Sequence, residues 1–461
     1  MRALLATLCV VTRTLTVPMA QAVPPPIPQF VQTMLSQHPE YGAAAARTEQ
    51  VAGEQDQAQA AFDLRFEQDT QVRTSGYYNG VFAEQGVVQP LGDFGAEVFG
   101  KYKISDGDLP VYEQAYETLD SGEFSVGVRM SLLQNRDTDT RRLALTTAAW
   151  RYLEAQSQQQ LELNQLVYRG VSAWLEWYQS LLKNRVFAEL VTLTEQRLTA
   201  IERRVDDGDL AAIALTEYQV TLLQRKLLLQ EANQRMQIAE EKLAYFLIPN
   251  SPSSSSEASM DAAALDLQWP YRYAASDTGG TLIGQHPAMQ ALQASFEQAE
   301  NRLRQANNEV LPELDLELRV AQDLGDGPEY LDGTESVVGV SFYMPLGQRA
   351  ARARSAVAEA KIREVEYELQ ILEQQLRRDV GVATTALATA RDIFVMSTRR
   401  EALAAQLLAQ ERVRFFEGVS DQFLLIAREK ATLQASLQRI DAELDILRNE
   451  LALHATLAQL F

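Results

Sequence analysis

Three histidines, His38, His286 and His454, are the only imidazoles in the chain, and Cys9 is the only thiol. A metal centre needs its ligands gathered at short helical or loop spacings, and no two of these four residues stand at one. One cysteine also rules out a disulfide framework. The 62 acidic residues fall mostly along helical patterns, where carboxylates form a solvated face rather than a general acid–base pair. No bound cofactor is expected and the chain reads as a non-enzyme. The formal net charge of −20 excludes nucleic acid as a partner, because holding phosphates requires basic patches. Residues able to do chemistry are present, but nothing in their spacing brings them together.

What the spacing does show is repetition. His38-Pro39 opens a helical stretch that runs into Asp63-Leu64-Arg65-Phe66-Glu67, and His286-Pro287 opens another that runs into Glu313-Leu314-Asp315-Leu316-Glu317, an offset of 248. Gly127-Val128 answers Gly339-Val340 at an offset of 212, and Asp207-Gly208 answers Glu417-Gly418 at 210. A duplication of one helix–strands–long helix–turn–long helix unit accounts for all three pairs. The fall from 248 to 212 gives the first half about 36 extra residues between its strand signals. The resulting organisation is a first repeat over 23–248 with a strand-containing insert near 80–115, a linker over 249–281, and a second repeat over 282–461. The linker carries the run Pro249-Asn250-Ser251-Pro252-Ser253-Ser254-Ser255-Ser256. Residues 1–22 read as a secretory signal, with Arg2, an apolar run from Ala3 to Val11, and Ala20-Gln21-Ala22 as a small-x-small cleavage site.

The strand candidates alternate with period two. Leu64, Phe66 and Val72 oppose Asp63, Arg65, Glu67, Asp69, Gln71 and Arg73; Phe124, Val126, Val128, Met130 and Leu132 oppose Glu123, Ser125, Gly127, Arg129 and Ser131. Leu314, Leu316, Leu318 and Val320 oppose Glu313, Asp315, Glu317 and Arg319, and Val338, Val340, Phe342 and Met344 form a fourth series. A soluble sheet also alternates, with its apolar face on a core. These segments have the length of a tilted membrane strand and carry charge on the polar face. Tyr77, Tyr78, Tyr330 and Tyr343 are candidates for an interfacial girdle. Four strands cannot close a barrel alone, so the chain either makes a soluble sheet or lends strands to a shared barrel. Glu97 to Ile104, with Asp106-Gly107-Asp108 after it, reads as one further strand that the pattern does not place.

Four long helical blocks follow: Thr140–Arg204, Leu210–Leu247, Arg352–Phe416, and Val419 to the C-terminus. Gly170 is the only strong breaker in the first. The last carries a heptad seam of Ile426, Leu433, Leu437, Ile440, Leu444, Leu447 and Leu451, with Lys430 the exception. The second carries Tyr218, Leu222, Leu229, Ala232, Met236, Ala239, Leu243 and Phe246, with Arg225 the exception. Val220, Leu223 and Leu227 widen that seam, as for a helix wedged between two neighbours.

In this order the segments resemble the TolC-like outer-membrane efflux protein family, over nearly the whole chain. The resemblance rests on the His-Pro start of each half, on Leu311-Pro312-Glu313-Leu314 entering a strand, and on Ser341-Phe342-Tyr343-Met344-Pro345-Leu346-Gly347 leaving one. The Ala- and Arg-rich run from Arg349 to Lys361 then opens a long helix. Phe415-Phe416-Glu417-Gly418 stands at an aromatic-x-x-Gly turn, and Arg203 to Leu210 resembles that turn in the first half. The family implies a mainly α protein with a membrane β-barrel: a homotrimer giving four strands per protomer to one twelve-stranded barrel, above a long periplasmic α-helical barrel. It implies a passive conduit in the outer membrane, working with a periplasmic adaptor and an inner-membrane efflux or ABC-type transporter. Gly208 and Gly418 would then mark the periplasmic helix turns. In the family, acidic residues six and nine positions beyond the turn glycine ring the pore. Those positions here are Ala214 and Glu217, and Leu424 and Ala427, so the second half departs from the acidic pattern. The candidate constriction is therefore Leu424, flanked by Asp421; ordinary interhelix packing by Phe423, Leu424 and Leu425 is the plain alternative. Phe124, Leu316, Leu318 and Phe342 are expected to face lipid, and Glu317, Arg319 and Arg129 the lumen. A secreted or periplasmic coiled-coil scaffold without a pore is the alternative function.

Overall fold

A computed structural model describes residues 26–76, 79–107, 117–208, 210–247 and 280–460. The signal segment, most of the inter-repeat linker, and Tyr77 and Tyr78 lie outside the described residues. The protein is mainly helical with one antiparallel sheet. Helices α1 (Ile27–Gln37) and α2 (Pro39–Gln59) precede strands β1 (Arg65–Arg73), β2 (Gly80–Pro90), β3 (Glu97–Gly107) and β4 (Glu123–Ser131). Two long helices follow, α3 (Thr140–Asp206) and α4 (Ala212–Ala244). The second half repeats the plan: a short α5 (Gly280–Gly284), α6 (Pro287–Asn308), β5 (Glu313–Asp323), β6 (Thr334–Tyr343), α7 (Arg349–Phe416) and α8 (Gln422–Thr456).

The sheet is a meander in the order β1-β2-β3-β4-β5-β6, every neighbouring pair antiparallel. Here the structure corrects the sequence reading. The resemblance implies four strands per chain and the pattern adds one unplaced strand, whereas the described residues form six. The extra segment is not one strand but a hairpin, β2 and β3, hydrogen-bonded between β1 and β4. β2 escapes a pattern search because Gln85 and Gln89 fall on its apolar side. Gly86 sits on the other side, where an added Cβ would lie 2.7 Å from Cγ of Lys101.

The chain divides into two compact units, each taking segments from both repeats. One comprises the residues up to His38 with Val167–Arg272 and Asp392–Arg448; the other comprises Pro39–Leu166, Tyr273–Arg391 and Asn449–Phe461. The first unit buries Phe30, Met34, Val171, Trp174, Leu175, Ile440 and Leu444. Gly170 does not break α3. Its missing side chain admits α1, since a Cβ there would meet Sδ of Met34 at 2.6 Å. The heptad seam of α4 is covered at Tyr218, Ala232, Ala239 and Leu243, and Arg225, its apparent flaw, is buried with them. The second stripe, Val220, Leu223 and Leu227, is exposed. The second unit holds the sheet and a helical core rich in alanine, with Ala294, Ala299, Ala306, Val365 and Leu453 buried. Among the described residues no helix is long and apolar enough to cross a membrane.

Candidate functional site

Strand registry decides which side chains share a face, because directly paired residues point the same way. One apolar row reads Phe66, Val87, Gly100, Val126, Val320 and Ser336 across the six strands. The next reads Gln89, Val98, Val128, Leu318 and Val338, and Met130, Leu316 and Val340 follow. Phe124, Leu316, Leu318 and Phe342 all lie on this face, and Arg129, Glu317 and Arg319 lie on the other. Tyr343 pairs with Glu313 and so belongs to the charged face, not to an apolar-side girdle. Tyr330 sits in the β5–β6 connection and donates to Glu117 at 2.7 Å.

The two faces are inverted relative to a water-soluble sheet, which turns its apolar side to a core. Here the apolar side is the open one: Phe66 is 65% exposed, Val338 71% and Phe342 65%. The covered residues include charged ones, Lys103 and Glu123, paired at 2.6 Å. Ion pairs run across that face: Lys101–Glu84 at 2.7 Å, Arg129–Glu317 at 2.8 Å, Arg129–Glu97 at 3.5 Å and Arg319–Glu335 at 3.3 Å. A cavity of about 690 Å³ next to the sheet is lined by charged residues, Glu97, Arg129, Asp315, Glu309 and Arg354, together with apolar ones such as Pro345 and Ala351.

In the other unit, α3 and α7 each end on a left-handed glycine, Gly208 at φ 83° and Gly418 at φ 76°. Gly418 donates to Phe415 O at 3.2 Å and Val419 to Arg414 O at 2.9 Å, the pair of bonds that closes a helix through a left-handed cap. The first turn shares the inner bond, Gly208 to Val205 O at 3.1 Å. Asp421, exposed, has a local structural role in this chain. It is the N-cap of α8 and accepts from Leu424 N–H at 2.8 Å. Beyond the turns, Leu425 is buried, Leu424 half-buried and Phe423 80% exposed. Ala427, Glu217 and the turn glycines are exposed, and Ala214 is half-buried.

About three helical turns from Gly418 lies a cluster that sequence reasoning missed. Arg225 of α4 donates to Glu429 of α8 at 2.7 Å and also to Thr194 of α3, while Arg197 of α3 pairs with the same carboxylate. Arg225 and Glu429 are 8% and 6% exposed. Burial lowers the affinity of Arg225 and Arg412 for their protons, and Arg197 lowers that of Arg412 further. One carboxylate thus ties three helices. The only sequence signal was that Arg225 interrupts its seam.

The two His-Pro motifs give one backbone and two side-chain settings. His38 and His286 have nearly the same dihedrals, φ −69°, ψ 135° and φ −63°, ψ 132°. Nδ1 of His286 caps α6 by accepting from Ala288 N–H at 3.1 Å, whereas the His38 ring packs on Tyr245 and Phe246. Among the described residues no group of three or more His, Cys, Asp or Glu side chains is placed to hold a metal ion.

An inverted antiparallel sheet joined to two pairs of very long helices is the architecture of the TolC-like outer-membrane channels, and the chain has that fold. It matches the MtrE outer-membrane channel of Neisseria gonorrhoeae in its open state with a TM-score of 0.66 and 14% identity, covering 95% of this chain and 90% of that one. It matches the outer-membrane protein VceC of Vibrio cholerae at 0.65 and 14%, covering 94% and 96%. For the CmeC outer-membrane channel of Campylobacter jejuni the values are 0.63 and 11%, covering 94% and 86%. No protein-family model and no curated protein matches the sequence.

Proposed function

We propose that the protein is the channel subunit of an outer-membrane export system: a homotrimer whose sheets close into one barrel in the lipid and whose helices form a tunnel in the periplasm. The inverted sheet carries this reading. An apolar face left open across six strands is costly in water, at about 25 cal/mol per Å² of apolar surface, and finds its solvent in a bilayer. A backbone in lipid must satisfy every polar group, which for strands means a closed barrel. The exposed stripes on α4 (Ile213, Val220, Leu223, Leu227) and α7 (Val382, Val395, Met396, Leu403) support helix packing between copies. Phe124, Leu316, Leu318 and Phe342 face the lipid, and the ion-pair face lines the lumen. A scaffold without a pore would leave the apolar face in water.

The outer-membrane channels that share this fold support the localisation. The resemblance supplies the partners, a periplasmic adaptor and an inner-membrane efflux or ABC-type transporter, and the passive role. The turns at Gly208 and Gly418 form the periplasmic mouth, and Leu424 narrows it, excluding hydrated ions as apolar constrictions do. Mass measurement after detergent extraction tests the assembly: a trimer is expected, and a monomer stable without detergent would sink it. In planar bilayers Leu424→Asp raises cation selectivity and creates block by multivalent cations, while Leu424→Ser raises conductance without block. If both conduct like the parent, Leu424 is packing alone.

A further inference from the structure

We infer that every copy of the chain contributes six strands to the barrel wall, so that three copies close an eighteen-stranded barrel instead of the twelve-stranded one the resemblance implies. This rests on the trimeric channel reading above.

Three observations place the inserted hairpin in the wall. First, β2 and β3 pair with each other over their full lengths and lie between β1 and β4, with nine residue pairs joining β1 to β2 and seven, Glu97 to Lys103, joining β3 to β4. Second, the apolar face continues through the insert, interrupted on β2 only by Gln85 and Gln89. Val87 and Gly100 continue Phe66 and Val126, and Val98 continues Val128 and Leu318. A hairpin folded into the lumen would have no reason to match its neighbours level by level. Third, the charged face is stitched across both seams. Glu97 of β3 pairs with Arg65 of β1 at 3.7 Å and with Arg129 of β4 at 3.5 Å, and Lys103 pairs with Glu123. Phe99 of β3 lies over Gly127 of β4, where a Cβ would meet its ring at 2.4 Å. Gly339, the repeat counterpart of Gly127, has only Cβ of Glu317 nearby, at 3.8 Å.

Strand parity permits closure. An even number of antiparallel strands leaves β1 and β6 running in opposite directions at the two open edges. The β6 edge of one copy therefore meets the β1 edge of the next as another antiparallel pair, and head-to-tail joints of this kind close into rings. The insert adds two strands and preserves that parity. With strands about 4.8 Å apart and tilted about 40°, eighteen strands give a backbone diameter of about 36 Å, against about 24 Å for twelve. The outer end of the conduit thus admits solutes roughly 12 Å wider than a four-strand subunit would allow.

Single cysteines in a Cys9→Ser background test the placement. Val87→Cys and Val98→Cys report on the insert, and Val128→Cys and Leu318→Cys on the flanking strands. Each is labelled with an environment-sensitive fluorophore and reconstituted into vesicles containing brominated lipid. Equal quenching at all four positions is the expected result. Quenching at 128 and 318 but not at 87 and 98 would put the hairpin outside the wall and overturn the inference, leaving the channel reading intact. Quenching at none of the four would defeat the channel reading itself. Strand number in projection images of the detergent-extracted assembly gives the second measurement: eighteen is expected, and twelve refutes it.

Discussion

The turns at Gly208 and Gly418 use the same left-handed glycine, with open space where a side chain would stand in both. Their surroundings differ. After Gly418, Asp421 caps α8, and Ser420 bonds Glu411, which Arg414 also approaches. After Gly208, α4 starts from Ala211 with no side-chain cap. The two turns share the backbone that the chain reversal needs and differ in their polar reinforcement. The second turn is anchored locally. The helix beyond the first is held through Arg225, by a carboxylate that belongs to the second half. The two turns are therefore unequal partners: one is fixed by its own side chains, the other by its neighbour's Glu429.

Removing the shared carboxylate should give the largest effect. Glu429→Ala leaves Arg225 buried and without its carboxylate, and breaking a buried pair by deleting one partner costs about 3–5 kcal/mol. Denaturant unfolding followed by helical circular dichroism reads this directly. Replacing Arg225 by Met together with Glu429 by Leu should recover most of the loss, because a well-packed apolar substitute for a buried ion pair is often neutral. A loss below about 1 kcal/mol for Glu429→Ala would show that the tie between the halves is weak and that each turn stands alone.

The long helices and the strands β4, β5 and β6 were legible because their periods hold over many residues with few exceptions, and β1 because Leu64, Phe66 and Val72 alternate with a run of charged and polar residues. Of the hairpin, β3 was legible as a further strand without a place, while β2 was visible only in the length difference between repeats. Gln85 and Gln89 blur the alternation of β2, and hydrogen bonds to neighbours, not its own pattern, make it a strand. The Arg225–Glu429 tie spans 204 residues and joins a seam irregularity in α4 to an off-seam carboxylate in α8, which look unrelated in one dimension. Lys430 was the recognised exception in α8, but the buried residue is its neighbour Glu429. Asp421, read from the sequence as a flank of the constriction, also carried a cap signal: an aspartate three residues before the amide it accepts from. The proposed constriction would be a ring built from several copies, so one chain's pattern does not display it.

The glycines sharpen the comparison at a smaller scale. Gly208→Ala and Gly418→Ala should each cost about 1–2 kcal/mol, the price of a Cβ in left-handed backbone. Neither substitution meets a clash, so the two losses should agree within error in thermal unfolding. A clearly larger loss at one turn would mean that the backbone devices are not equivalent. The caps then separate the turns again. Asp421→Ala should cost about 1 kcal/mol. Ala211→Ser, which supplies the missing acceptor, should stabilise the first turn by up to about 1 kcal/mol. If Ala211→Ser changes nothing, the first turn has no unmet need for a cap.

The smallest expected effect lies at the second His-Pro start. Burial holds the proton affinity of His286 below the ordinary imidazole value of 6.5, and a hydrogen bond to the Thr456 carbonyl only partly offsets it. The unfolded chain therefore takes up a proton near pH 6.5 while the folded chain still resists. In that window the unfolded state binds more protons, so stability falls as pH drops below about 6.5 and levels off once the folded imidazole is protonated too. Protonation also removes the lone pair of Nδ1 that caps α6 at Ala288. His286→Asn keeps a cap acceptor and cannot titrate. It should flatten the dependence of unfolding free energy on pH below about 6.5 while leaving stability at pH 8 within about 1 kcal/mol of the parent. An unchanged slope in this variant would assign the acid sensitivity to other groups, and would reduce His286 to the packing role that His38 already plays against Tyr245 and Phe246.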